Sequence, residues 1–398
     1  MKPLHRWCVV LALVFGAGPS LAQSASFEFL QKPGPFPVGL KVVEQYDASR
    51  TFPAGAATAP AAKAGPRPLQ TLVWYPARSG AGNAMTVGDY AALADMETHF
   101  KTPDPTHNKW RAQLKDSATS AMWARRDAAP IKQRFPVIIY APSDSSIAWE
   151  NADLCEYLAS HGYVVIASPS MGAATRDMTD DVEGINTQAR DISFLITYAA
   201  TLPDTDVSHV AVASWSWGGI SSLFAAARDP RIKALAEMDG SMRYFPGLIA
   251  QAGDVDPAKM RIPLIFFTSA YPNWLEDVER DTDNPPATRI GPSPLNAWTH
   301  GDVYTVNMLG MSHGEFGAMF QRRKSAEHFA EDQIADYGRD DANTSHAWSA
   351  RYILAFLDAY LKHDTAATAF LKRVPSENSV PSHFMAVSFR AAAATPSP

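Results

Sequence analysis

Cysteine is nearly missing from this chain: 398 residues hold only Cys8 and Cys155. Cys8 lies in a leader-like segment, so removal of that segment would leave one thiol and no possible internal disulfide. The fold must then hold through its core alone, even in an oxidising compartment. Cys155 stands with Leu154 and Leu158 in "ADLCEYLASHG", a helical pattern, and reads as a buried packing residue rather than a reactive thiol. Charge is sparse too. Charged residues make up 19% of the chain and the formal net charge is −6. There is no basic stripe and no interleaving of aromatic with basic residues, which argues against a nucleic-acid partner. No His/Cys cluster has zinc-ligand spacing, and there is no internal repeat. No run after the leader is long enough to span a bilayer.

What is present is an ordinary supply of core residues, 46% hydrophobic, enough for a large globular fold. The N-terminus reads "MKPLHRWCVVLALVFGAGPSLAQSAS". Lys2 and Arg6 give a positive start, Trp7 to Phe15 an apolar stretch, and Gly16 to Pro19 a break. Ser20-Leu21-Ala22 fits a small-x-small cleavage site. This predicts a secretory signal peptide over 1–22, with 23–398 secreted or periplasmic. The apolar stretch is too short for a membrane anchor.

Along the rest of the chain, strand and helix patterns alternate. "GLKVVEQYDA" and "LQTLVWYPA" predict two strands, separated by a Pro/Ala/Gly-rich loop over 53–68 expected to be flexible. Residues 85–129 mix helical patterns with polar breaks and predict a helical insertion rather than a strand. Then follow continuous apolar runs typical of strands buried on both faces: "FPVIIYAPS", "YVVIASPS", "HVAVAS", "IKALAEMDG", "IPLIFFTSA" and "DVYTVNMLG". Helical patterns separate them, and "SARYILAFLDAYLKH" closes the series. The alternation predicts an α/β fold: a mostly parallel central sheet with helices on both faces, in one domain.

In such sheets, sites form beyond the carboxyl ends of the strands. After "HVAVA" comes "SWSWGG". A strand-to-helix elbow that displays a nucleophile needs small residues two before and two after it. Ser216 satisfies this with Ser214 and Gly218. Ser214 fails because Val212 is not small. The plain alternative for Ser216 is an ordinary corner with a capping serine. A serine hydroxyl needs a base and a carboxylate to orient that base. "DVYTVNMLG" runs into "MSHGEFG", which puts His313 at a strand's carboxyl end. His161 ends a helix, His300 precedes a strand, and His346 reads as a capping or surface residue. Two positions could supply the acid. Asp239 ends the strand after the nucleophile, while Glu276 and Asp277 follow the next one. Asp239, with Gly240 behind it, suits a tight buried turn better. An oxyanion needs two backbone N–H donors. One is expected at Trp217, directly after the nucleophile. The other is expected in "APSDSS", at Asp144 or alternatively Ser143. Trp215 and Trp217 flank the serine as core packing or as walls of a substrate pocket.

On these stretches the chain resembles an α/β-hydrolase of the platelet-activating-factor-acetylhydrolase and dienelactone-hydrolase type. The likeness runs from "RPLQTLVWYPA" through "FPVIIYAPS", "YLASHGYVV", "SWSWGG", "EMDGSM" and "SHGEFG" to "FLDAYLK". It implies an α/β-hydrolase fold with Ser216 as nucleophile, His313 as base and Asp239 as acid. The acetylhydrolases also carry their acid after the strand that follows the nucleophile. This chain departs from them in having Pro142-Ser143 where a His-Gly pair is usual, and Ser214-Trp215-Ser216 where Gly-His-Ser is usual. The dienelactone enzymes use cysteine where this chain has Ser216. The expected activity is hydrolysis of small-molecule or lipid-like carboxylic esters through an acyl-enzyme, with no metal or cofactor. The alternatives are a catalytically silent relative that binds a ligand or partner, and an amidase or peptidase on the same triad.

Overall fold

The computed structural model describes residues 26–53, 64–80, 82–98, 100, 103, 105, 108–269, 287–323 and 337–394. The leader 1–22, residues 54–63 of the expected loop, and Glu276 and Asp277 lie outside them.

The first strands, β1 (Val38–Phe52) and β2 (Gly65–Pro76), pair antiparallel. Next come β3 (Asn83–Thr86), α1 (Val87–Leu93), α2 (Lys109–Gln113) and β4 (Ala121–Arg126). A regular alternation follows: β5 (Phe135–Ala141), α3 (Ala152–Ser160), β6 (Val164–Ala167), α4 (Val182–Ala199), β7 (Thr205–Trp215), α5 (Trp217–Arg228) and β8 (Ile232–Met238). The described chain ends with α6 (Pro246–Ala252), β9 (Leu264–Thr268), β10 (Val303–Met308), a long helix Arg339–Leu361 and β11 (Met385–Arg390). All eleven strands join one sheet, in the order β11-β10-β9-β8-β7-β5-β6-β2-β1-β4-β3. The stretch from β6 to β10 is parallel throughout.

The apolar runs exist because both faces of this parallel stretch are covered. Ile138 and Tyr140 of β5 enter one core with Leu154 and Leu158 of α3 and Ile353 of the long helix. Val137 and Ile139 enter the other core with Ile192 of α4 and Ile220 of α5. A period of two with both phases buried leaves no polar phase, hence the unbroken hydrophobic sequence. From β5 the chain passes to β6 on one side, then crosses over to β7 on the other. The loops after β5 and β7 therefore start beside each other at the carboxyl edge of the sheet, where Ala141 stands opposite Ser214.

Three expectations need correction. Residues 85–129 carry helices, but also β4 and part of β3, which extend the sheet beyond β1. These strands are short and only partly buried, too brief to show a period. The loop expected over 53–68 is shorter, because β2 begins at Gly65. Its "GPRP" start is held by Arg67, a 1%-exposed side chain that donates to Asp191 at 2.9 and 2.7 Å and to the Gly172 carbonyl at 2.6 Å. The edge strand β11, mostly exposed, was not foreseen; it pairs antiparallel with β10.

Candidate active site

Ser216 lies between the last residue of β7 and the first of α5, with φ 54° and ψ −122°. It occupies the cap position of α5, yet its side chain makes no capping bond, so the hydroxyl is free for another partner. The steric rule used on the sequence has a visible cause. A Cβ at Gly218 would lie 2.2 Å from the Ala141 carbonyl oxygen and 2.7 Å from that of Pro142. Ser214, fully buried, sits in register with Ala141 of β5 and Glu237 of β8.

Three elements that are distant in sequence converge on this turn. The Ser216 Oγ is 2.9 Å from His313 Nε2. His313 Nδ1 is 2.6 Å from Asp239 Oδ2. Asp239 follows β8 directly, is 1% exposed, and accepts a second hydrogen bond at Oδ1 from the Tyr244 hydroxyl. Burial alone would raise its carboxyl. The hydrogen bond and charge of His313, with bonds from Tyr244 and Ser269, outweigh burial and hold it below the ordinary aspartate value. An imidazole with one nitrogen fixed by a carboxylate and the other facing a hydroxyl can take that hydroxyl's proton during attack on an electrophile.

His313 opens a short helical turn, His313–Phe316, closed by a reciprocal capping box between Ser312 and Glu315. Trp215 donates its indole N–H to the His313 carbonyl at 3.1 Å. His346 Nδ1 lies 3.0 Å from the Glu315 carbonyl. His346 is thus no surface or capping residue. The long helix begins seven residues earlier, at Arg339, and carries His346 inward to 1% exposure. Burial pushes its imidazole down to about 4.

The two expected oxyanion positions separate. The Ser143 N–H is committed to the Glu150 carboxyl at 2.9 Å. The Asp144 N–H has no acceptor among the described residues. Trp217 opens α5, where helical N–H groups lack intrahelical acceptors. The Asp144 side chain is exposed, and its carboxyl is raised by partial burial and by the neighbouring carboxylates Asp180 and Asp177. The expected pocket walls need correction. Trp215 and Trp217 are 3% and 4% exposed and belong to the cores on opposite faces of the sheet. Trp215 ends β7 on one face of the sheet and Trp217 opens α5, which packs on the other, so each turns inward, and Trp215 supports the His313 turn.

Tyr244, which donates to Asp239, and Glu150 and Asn151, which bond the Ser143 loop and the His313 turn, were not singled out in the sequence. No spacing ties Glu150 to Ser143 or Tyr244 to Asp239. Cys155 is buried in α3, as its pattern suggested.

No family model and no curated protein matches the sequence. Solved structures do: 694 chains are similar. One is a ferulic acid esterase from Streptomyces cinnamoneus, 17% identical, with a TM-score of 0.61 over 92% of this chain and 99% of that one. At that identity the likeness speaks for architecture alone. Together with the mostly parallel sheet and the helices on both its faces, it shows that this chain has the α/β-hydrolase fold.

Proposed function

We propose that this chain is a secreted or periplasmic serine hydrolase that cleaves carboxylic esters through an acyl-enzyme. The observation that carries the reading is the hydrogen-bonded series Ser216–His313–Asp239 at the carboxyl edge of the sheet. As Ser216 Oγ attacks the ester carbonyl, His313 Nε2 takes its proton. The Asp239 carboxylate holds the imidazole in the required tautomer and stabilises the imidazolium. The oxyanion accepts from the Trp217 and Asp144 N–H groups. The alkoxide leaves with the proton from Nε2. Water, deprotonated by the same nitrogen, then attacks the acyl-serine and releases the acid. The acid's place after β8 is the arrangement that suggested an acetylhydrolase-like enzyme in the sequence. The similar ferulic acid esterase adds aromatic esters to the substrates worth testing.

The test is a panel of p-nitrophenyl acyl esters, methyl ferulate and matched anilides, with wild type and Ser216→Ala. Ester turnover that Ser216→Ala reduces by about 10⁴-fold or more supports the reading. Turnover that survives the substitution, or turnover confined to the anilides, contradicts it.

A further inference from the structure

Glu150 and Asn151 are adjacent, polar and 0% exposed, just ahead of α3. Neither belongs to the reacting series. Yet their contacts run to the Ser143 loop and to two of the segments that carry that series. Glu150 Oε1 accepts from the Ser143 N–H at 2.9 Å and the Tyr140 hydroxyl at 2.8 Å, and Oε2 accepts from the Ser143 hydroxyl at 2.7 Å. The Glu150 carbonyl accepts from the Met319 N–H at 3.0 Å, just beyond the His313 turn. Asn151 Nδ2 donates to the Phe316 carbonyl, the last residue of that turn, at 2.8 Å. The same nitrogen lies 3.7 Å from the Met238 sulfur, directly before Asp239.

We propose that Glu150 and Asn151 are positioning residues that lock the oxyanion loop and the His313 turn to each other. The inference rests on the esterase reading for its catalytic consequence, but its geometric content is independent of it. By taking the Ser143 N–H, Glu150 fixes the Pro142–Ser143 peptide plane, and the Ser170 hydroxyl, by donating to the Ser143 carbonyl, holds the following plane, which carries the Asp144 N–H. Asn151 holds the far end of the histidine turn to the same helix start. A register set at one dipeptide keeps the base and the oxyanion donor at a constant separation, which a transition state senses more than a bound substrate does. A carboxyl is suited to this task because it presents two acceptor oxygens to two donors of one residue.

The test compares full-length wild type, Glu150→Gln, Glu150→Asp and Asn151→Ala. Gln keeps the chain length and an acceptor for the Ser143 N–H. Asp is one methylene too short to reach it. Against p-nitrophenyl acetate, Glu150→Asp is expected to lose about 100-fold in kcat with KM changed less than about threefold, and Glu150→Gln to stay within about fivefold of wild type. Asn151→Ala is expected to lose about tenfold in kcat. Hydrogen exchange, followed by mass spectrometry, should quicken over 142–146 in Glu150→Asp and over 312–318 in Asn151→Ala. Equal kcat in the Gln and Asp variants, or unchanged exchange over both segments, overturns the proposal. If wild type cleaves no ester, the esterase reading falls, while the exchange comparison still decides the lock.

Discussion

At Ser216 the backbone holds a positive φ of 54°, and at Asp239 one of 48°. For residues with a Cβ this conformation costs free energy and persists only where neighbours over-determine it. The neighbours are present. The Ser216 N–H donates to the Met238 carbonyl at 3.1 Å, and the Ser216 carbonyl accepts from Ser241 at 2.7 Å and Gly219 at 2.9 Å. The Asp239 N–H donates to the Phe267 carbonyl at 2.9 Å. The residue that displays the hydroxyl and the segment after the acid are therefore bonded to each other through main chain, and the two strained turns support one another. On this account the identity of the acid has a sharp consequence. Asp239→Asn keeps the shape but presents an amide to His313 Nδ1 and favours the wrong tautomer. Ester turnover is expected to fall by about 10⁴-fold, as for the equivalent change in known Ser-His-Asp enzymes, while Asp277→Asn is expected to stay within a few-fold of wild type. Steady-state kinetics on the two variants check this; the reverse order would move the acid to the following strand.

Among the elements, α3 and its approach hold an unusual load of buried acid. Burial, against the opposing hydrogen bonds, pushes the Glu150 carboxyl up to about 7. Burial likewise pushes Glu156 up to about 8, although the Tyr90 hydroxyl and the Trp123 N–H bond it. Both values lie above those of an unfolded chain, near 4.3. The folded protein therefore keeps protons that the unfolded chain has already lost, and their contribution to stability declines as pH rises from about 4.3 towards 7 and 8. His346 acts oppositely, since a folded value of about 4 makes stability rise with pH up to the ordinary histidine range near 6.5. The clean window is pH 6.5 to 8. There the urea-unfolding free energy of wild type is expected to fall with pH, and Glu156→Gln to show a shallower fall. An unchanged slope in that variant would contradict the assignment. The central strands and most of the large helices could be read from sequence, because burial on both faces writes an unbroken apolar run and burial on one stripe writes a helical period. The short strands β3, β4 and β11 at the two ends of the sheet could not, since four to six half-exposed residues carry no distinct period. The acids of α3 were equally illegible: a glutamate at a helix start looks the same in sequence whether water or Ser143 faces it.

Across the whole molecule, the site depends on a frame assembled from distant sequence. Ser216, Asp239 and His313 come from loops after β7, β8 and β10, and parallel pairing alone brings those strand ends to one edge. Each of the three follows an apolar run at a strand's carboxyl end, which made their meeting legible in sequence, and the elbow rule selects between two serines. Farther out, Arg67 and Arg50 both bond Asp191, at 2.7 and 2.6 Å, and tie the β1–β2 arm to α4. Nothing in "GPRP" announced a buried guanidinium, because its partner is more than a hundred residues away. Among the described residues no helix is long and apolar enough to cross a membrane. The proposed chemistry requires Ser216 to be an activated nucleophile. The most direct measurement is reaction of the folded protein with a fluorophosphonate, followed by mass mapping of the adduct. One stoichiometric adduct on Ser216, lost in Ser216→Ala and strongly slowed in His313→Ala, is expected. Folded protein that takes up no label, or labels elsewhere at the same rate without Ser216, would contradict it.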